Sequence, residues 1–385
     1  MENLSQRPVE PAARELSLRL FNPSPYLRGG IITTPWQPIA SAMELTGTKE
    51  ISLTDWNGST LPAQVDVVDP TDPSRSVLVF ALAATLPPGS EHYTESSRSV
   101  TLRRTGPSSE PSAGPRVERT EDGSLQLGNG RLAACFHLGG GDKKWFAGSA
   151  TSVSLDGFEV LDLWLGGIHP EKRGLQVDRV RLARPPWEDS EPQEVELSTR
   201  SYRLLSQNHG PLRASLTLAS EPFPFPCTNP WTGQESTLTC ELYRVISLYA
   251  GADYLVEELY VKAAGKGAIK PVHPCFSLRY FTHMDMSFKP RIFRHAKVPD
   301  WFAVGYDEFP YPGYGFATDV HASEVSNPHP SYPIGDQHKT FSWEILPARQ
   351  ARCVHLFMAG VPQDFEHRAG HLWYEMIYKP LLAKI

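Results

Sequence analysis

The sequence predicts an all-β protein with a small β-sandwich followed by a much larger one. Three observations predict it. Proline (35) and glycine (29) recur throughout the 385 residues and interrupt long helices. Short β-branched and aromatic runs lie between these turn signals. Residues 104–118, RTGPSSEPSAGPRVE, are rich in Pro, Ser and Gly and nearly free of large apolar side chains, so they read as a linker.

The elements follow in order. Residues 1–17 read as a flexible segment carrying Pro8 and Pro11, without the apolar run of a signal peptide, so a cytoplasmic location is expected. Residues 18–103 form the small sandwich, with strands in GGIITTPW and SVLVFALAATL and a short amphipathic helix in PIASAMEL. Residues 119–385 form the large one, with strands in SLQLGNGRLAACFHL, ATSVSLDGFEVLDLWLGG, LRASLTLAS and TLTCELYRVISLYAGADYLVEELYVKA. The terminal EHRAGHLWYEMIYKPLLAK reads as a second helix.

Composition excludes several function classes. A net charge of -6 argues against binding nucleic acid through bulk charge, and no window is long and apolar enough for a membrane span. The cysteines, Cys135, Cys227, Cys240, Cys275 and Cys353, lack CxxC spacing and read as buried free thiols, with a Cys227–Cys240 bridge as the exception. HExxH and a serine elbow are absent. His367 and His371 stand four apart without a further ligand, so no metal and no cofactor is called for. A structural calcium ion and the oligomeric state stay open.

The most chemically loaded run is YFTHMDMSFKPRIFRH, residues 280–295. Strand alternation from Val272 puts His273, Cys275, Ser277, Arg279, Phe281, His283 and Asp285 on one side. Pro274, Phe276, Leu278, Tyr280 and Met284 fall on the other, which is mostly apolar and expected to face the core. The polar side is either a solvated strand face or the floor of a carbohydrate groove. Two neighbouring segments suit the second reading: GYDEFPYPGYGFATD (305–319) and NPHPSYPIGDQHKTFSW (327–343) read as aromatic, Pro-rich loops able to set rigid rings against sugars. Nine of the thirteen histidines lie between His273 and His371.

Longer motifs carry a resemblance. LRLFNPSPYLRGGIITTPW, DWNGSTLPAQVDVVD and VLVFALAATLPPGSEHYT look like the small β-domain that follows the catalytic region of retaining α-mannosidases. GSLQLGNGRLAACFHLGGG, NHGPLRASLTLAS and YRVISLYAGADYLVEELYV look like the adjoining β-supersandwich. That supersandwich is of the galactose-mutarotase-like group, shared with polysaccharide lyases such as exo-acting rhamnogalacturonan lyases. The resemblance covers roughly residues 18–265 and implies a small β-sandwich followed by a galactose-mutarotase-like supersandwich. Its motifs are those of the β-domains. The α/β domain that holds the mannosidase nucleophile and zinc has no counterpart in them, so glycosidase chemistry is not expected to transfer.

Three readings follow, each with an oligo- or polysaccharide as partner and none with nucleic acid or membrane. The first is a polysaccharide lyase that cleaves a uronate-containing glycan by β-elimination. This needs a cation for the carboxylate, a base for the C5 proton and an acid for the leaving oxygen. Arg279, with Arg291 and Lys289, is a candidate cation, His283 the base, Tyr314 the acid and His338 the reserve base. His273, Lys289, Arg291, His295, Tyr306, Glu308 and Tyr311 are candidate substrate contacts. The second is a non-catalytic carbohydrate-binding or scaffold protein. The third is a mutarotase-type epimerase using His283 and Glu308.

Overall fold

The computed structural model describes residues 15–45, 51–88, 98–104, 114–139, 148–160, 174–183, 193–197, 200–228, 235–264, 273–282, 290–294, 301–306, 312–319, 322–330, 339–345, 350–359, 362–378 and 380–385. These residues are mainly antiparallel strand, an all-β fold with short helices. The chain divides into two compact units, Met1–Ser112 with Leu381–Ile385, and Ala113–Pro380. The last residues of the chain thus belong to the first unit.

In the first unit β1 spans Glu15–Phe21, β2 Arg28–Pro35, α1 Trp36–Met43, β3 Ile51–Thr54, β4 Thr60–Leu61, β5 Ala63–Asp66, β6 Val77–Leu86 and β7 Arg98–Arg104. The C-terminal strand Leu382–Lys384, β1, β7, β3 and β4 make a five-stranded sheet, and β2, β6 and β5 a three-stranded one. Period-two alternation sends Leu18 and Leu20 of β1 inward with Leu53, Val100 and Leu102, where they join Ile32, Leu78 and Phe80 in one core. Helix α1 buries Trp36, Ile39 and Met43, one stripe at helical spacing, and stops where Glu44 turns left-handed at φ 50°.

The motif residues of this unit are turn locks. The buried Asn22 amide donates to the carbonyls of Tyr26 (2.7 Å), Leu86 (3.2 Å) and Pro87 (3.1 Å). It therefore ties FNPSPY to Leu86 at the end of β6 and to the Pro87 that follows it, the first two residues of LPP in VLVFALAATLPPGSEHYT. Asp55 Oδ1 accepts from the backbone of Asn57 (2.9 Å) and Ser59 (2.8 Å) and shapes the β3–β4 turn.

The second unit begins with β8 Arg116–Arg119, β9 Leu125–Gly128, β10 Leu132–Phe136, β11 Ala150–Leu155, β12 Phe158–Glu159, β13 Gly174–Ala183 and β14 Gln193–Glu196. Then come β15 Tyr202–Asn208, β16 Arg213–Ser220, β17 Phe223–Thr228, β18 Glu235–Tyr249 and β19 Tyr254–Ala264. The last group is β20 His273–Thr282, β21 Pro290–Arg294, β22 Trp301–Tyr306, β23 Pro312–Thr318, β24 Ala322–Pro330, β25 Lys339–Ile345, β26 Gln350–Ala359 and α2 Pro362–Leu372. A ten-stranded sheet runs β24-β25-β20-β13-β11-β10-β9-β8, with β12 on β11 and β14 on β13. A nine-stranded sheet runs β15-β16-β18-β19-β26-β23-β22-β21, with β17 on β18. The two meet where β8 and β9 pack against β16, and β11 against β26.

Four readings change here. Strand β8 begins inside the stretch read as a linker, because Val117 and Glu118 pair with Leu127 and Gln126. The C-terminal helix starts earlier and ends sooner than 366–384. After α2 comes a π-helical turn, Trp373–Tyr378, and Pro380, which has no N–H to continue a helix, precedes strand β27, Leu382–Lys384. The segments 305–319 and 327–343 are in part strand, β22 to β25. The Cys227–Cys240 bridge is not made: Cys240 is a buried free thiol opposite Phe223, while Cys227 pairs with Ser236. Cys135 and Cys353 are also free.

Asn129 shapes the turn of LGNGRL. Its Oδ1 accepts from the backbone of Arg131 (2.9 Å) and Leu132 (2.8 Å), shaping the β9–β10 turn. Its Nδ2 donates to the carbonyls of Tyr249 and Ala252, both 2.8 Å, in the turn joining β18 to β19. One side chain thus ties the ten-stranded sheet to the nine-stranded one. Replacing Asn129 with Ala leaves these groups without their partner and is expected to cost ~1–3 kcal/mol, read as a lowered denaturant midpoint. An unchanged midpoint would show that the tie carries no stability.

Candidate functional site

The predicted residues fall into three groups. His273 and Arg279 lie on β20, Arg291 on β21, Tyr306 at the end of β22 and Tyr314 on β23. His283, Lys289, His295, Glu308, Tyr311 and His338 lie outside the described residues. The described parts of the run 280–295 lie in two different sheets. Strand β20 pairs with β13 and β25 in the ten-stranded sheet, whereas β21 pairs with β22 in the nine-stranded one. Arg291 and Tyr306, adjoining positions of that second pairing, are therefore on a different sheet from Arg279. Nearness in sequence misled because β20 pairs with the distant β13 and β25, while β21 pairs with the next strand, β22.

Around β20 the register sorts whole rows by polarity. Val195, Val180, Phe276, Ile345 and Ala322 line up across β14, β13, β20, β25 and β24, and Val177, Leu278, Trp343 and Val325 make the next row of that parity. Leu175, Tyr280 and Phe341 make the third. The alternate rows are polar. Glu196, Arg179, Ser277, Glu344 and Ser323 form one, and Gln176, Arg279, Ser342 and Ser326 the next. Gly174, Phe281, Thr340 and His329 form a third. The pairing of β20 with β25 runs without a register shift, and the irregularity against β13 falls on the β13 side, so the two-residue period holds along β20. His273 and Arg279 are on the polar parity and Tyr280 on the apolar one.

The rows differ in charge. Arg179 stands opposite Glu196, and Arg181 opposite Glu194. Such cross-strand opposite charges stabilise a sheet by themselves. The Arg279 row contains a glutamine and two serines and no carboxylate. His329, read as a loop residue, stands on β24 in the adjoining polar row. It lies two strands over and one same-parity step along, roughly 12 Å from Arg279 between backbones by sheet spacing.

Tyr314 is elsewhere. It is 0% exposed, and its hydroxyl bonds His355 Nδ1 at 2.8 Å. His355 Nε2 meets Glu257 Oε2 at 3.0 Å, and Glu257 Oε1 accepts from Arg244 Nε at 2.5 Å. Arg244 also donates to the Gly148 carbonyl beside β11 and lies over the Tyr202 ring, 6.0 Å from its centroid. The partners fix a consistent proton arrangement for a neutral imidazole: Tyr314 donates to Nδ1, and Nε2–H donates to the carboxylate.

Hydroxyl, imidazole and carboxylate follow the order of a catalytic relay. Arg244, Glu257, His355 and Tyr314 are each at most 1% exposed, however, so no glycan reaches them. Tyr314 is not positioned to protonate a leaving oxygen. Sequence reading missed the relay, although a signal exists. Arg244 shares its parity with Leu242 and Ile246, Glu257 with Leu255 and Leu259, and His355 with Cys353 and Phe357, all buried. A single polar residue interrupts the apolar phase of each of three strands.

Burial raises the Glu257 carboxyl, but the charge of Arg244 and the bonds from His355 and Arg244 outweigh it and bring the group down to about 2. Burial also pushes the Cys353 thiol well up and the Tyr202 phenol up to about 12. Replacing Glu257 with Ala leaves Arg244 as a buried uncompensated charge and is expected to cost ~3–5 kcal/mol, measured by denaturant unfolding.

The sign of the pH effect follows from the lowered carboxyl. Above its ordinary value of 4.5, Glu257 is ionised in both folded and unfolded chains and the stabilisation is complete. As the pH falls from there toward about 2, the unfolded chain takes up the proton first and the stabilisation is lost. A denaturation midpoint that does not fall across that window would contradict the assignment.

No family model and no curated protein matches the chain. Solved structures do. An α-mannosidase from Enterococcus faecalis V583 aligns with a TM-score of 0.53 and 11% identity, over 96% of this chain and 46% of that one. A protein in glycosyl hydrolase family 38 from Enterococcus faecalis aligns with a TM-score of 0.52 and 11% identity, over 96% of this chain and 47% of that one. The chain therefore spans less than half the length of these structures, and at this identity the likeness is one of fold.

Proposed function

We propose that this is a carbohydrate-active protein that engages a uronate-containing glycan on the polar side of its ten-stranded sheet, with Arg279 as the partner of the sugar carboxylate. The observation that carries the reading is the Gln176–Arg279–Ser342–Ser326 row, in which the register sets an arginine among amide- and hydroxyl-bearing residues. Arg presents a planar fork matched to a carboxylate, and Ser and Gln supply donors and acceptors for hydroxyls. The fold likeness to an α-mannosidase and a family 38 protein supports carbohydrate as the partner class.

The chemistry proposed for this face is β-elimination. Arg279 neutralises the C6 carboxylate as charge develops on it, and a histidine removes the C5 proton. His283 is the base proposed from sequence, and His329 joins it because its row adjoins that of Arg279 on the same parity. Binding without turnover is the second reading. It is favoured by the burial of Tyr314, which removes the acid nominated for the leaving group.

Absorbance at the unsaturated-uronate band, followed over pectic, gum and glucuronan substrates, separates the two. Turnover supports the lyase, and saturable binding without an absorbance rise supports the binding protein. In either case Arg279→Ala is expected to weaken the interaction about 10–100-fold, the loss of a charge-assisted pair, with the fold intact by circular dichroism. Unchanged affinity of a folded Arg279→Ala protein would remove the face from the site.

A further inference from the structure

The second unit holds a cleft of about 750 Å³ far along the ten-stranded sheet from Arg279, at the β8–β9–β10 end. That volume lies within the range of small-ligand sites. Its floor is a row of small residues: Gly128, Ala133 and Ser154 stand side by side across β9, β10 and β11. Gly128 has no side chain to fill the space, and a Cβ there would meet nothing closer than 3.9 Å.

Polar groups stand along one side of this floor. Arg116 is opposite Gly128, and Glu118, two residues on and so on the same side of β8, is opposite Gln126. All three line the cleft. Arg116 and Glu118 are exposed and Gln126 half-buried, and among the described residues none has a side-chain hydrogen bond or ion pair. The opposite wall is fixed. Arg131 is held by both oxygens of Asp156, at 3.2 and 3.0 Å, and Asn129 locks the turn that carries it. The Arg131 and Asn129 side is thus pre-organised, while Arg116, Glu118 and Gln126 are ordered on binding.

We infer that this cleft is a second glycan site, which takes a neutral pyranose unit by its vicinal hydroxyls. Each hydroxyl both donates and accepts. The Arg116 guanidinium donates, the Glu118 carboxylate accepts, and the Gln126 amide does both, so adjacent hydroxyls find complementary partners two residues apart on one strand and across to the next. Arg116 and Glu118 offset each other's charge, so the cleft has no net charge that selects a carboxylate, which separates it from the Arg279 face in sugar preference. The inference rests on the carbohydrate reading above.

The test uses the whole chain and neutral di- and trisaccharides of galactose, mannose and rhamnose, followed by saturation-transfer NMR and titration. The Arg116→Ala/Glu118→Ala double variant, altered only at exposed positions, is expected to bind them at least ~10-fold more weakly. Gln126→Ala is an independent, smaller loss. Both variants are expected to keep wild-type affinity for the uronate glycan. Unchanged neutral-sugar binding in the folded double variant overturns the site. So does a wild-type protein that binds uronate glycans and no neutral sugar. If it binds neither class, the carbohydrate reading falls with the inference.

Discussion

The ion pair between Arg244 and Glu257, closed off from water between two large sheets, is the contact around which the second unit is organised. A guanidinium at 1% exposure requires its charge to be met, and here Nε and Nη1 are bonded while Nη2 has no hydrogen-bond partner among the described residues. Glu257 meets the charge from the adjacent strand, and the Gly148 carbonyl takes a donor from the other sheet. Gly148 itself has φ 72°, and a Cβ there would lie 2.6 Å from the Tyr202 ring, so the close approach that serves Arg244 requires glycine. His355 and Tyr314 carry the polar chain on across β26 and β23, which leaves the carboxylate bonded on both oxygens. The relay acts as a register key: a one-residue slip of β18, β19, β26 or β23 breaks a bond that the dry interior does not replace.

Asn129 performs a related task at the surface. Its four bonds join a turn of one sheet to a turn of the other. Asn22 and Asp55 do the equivalent within the first unit. The polar letters that stand out in the motifs are thus mostly backbone clamps. This accounts for fold similarity to an α-mannosidase at 11% identity. A β-layer keeps its shape through apolar alternation, which many sequences satisfy, together with a few clamps that few residues can supply.

The ten-stranded sheet is ordered by alternation as well. The same alternation that sets Phe276, Leu278 and Tyr280 on one parity sets Ser277 and Arg279 on the other. Whole rows keep one polarity across neighbouring strands because a sheet face is solvated or covered as a unit. The cleft near Arg116 arises from the same rule, with small residues where the row is hollow and charged ones beside it.

Strand-rich architecture and helix α1 were legible in the sequence, since they depend on side-chain periods of two and 3.6 that are local properties of the chain. Turn clamps were visible as motifs, though their partners were not. What only the tertiary structure decided was pairing. Strands β20 and β21 lie in different sheets, His329 is brought to the row beside Arg279, and Tyr314 goes to the interior with His355. The C-terminal residues return to the first unit as β27. These choices join residues up to hundreds of positions apart, and the energy that selects among them comes from shared burial and from polar groups that must be met. Neither is a property of any short stretch read alone.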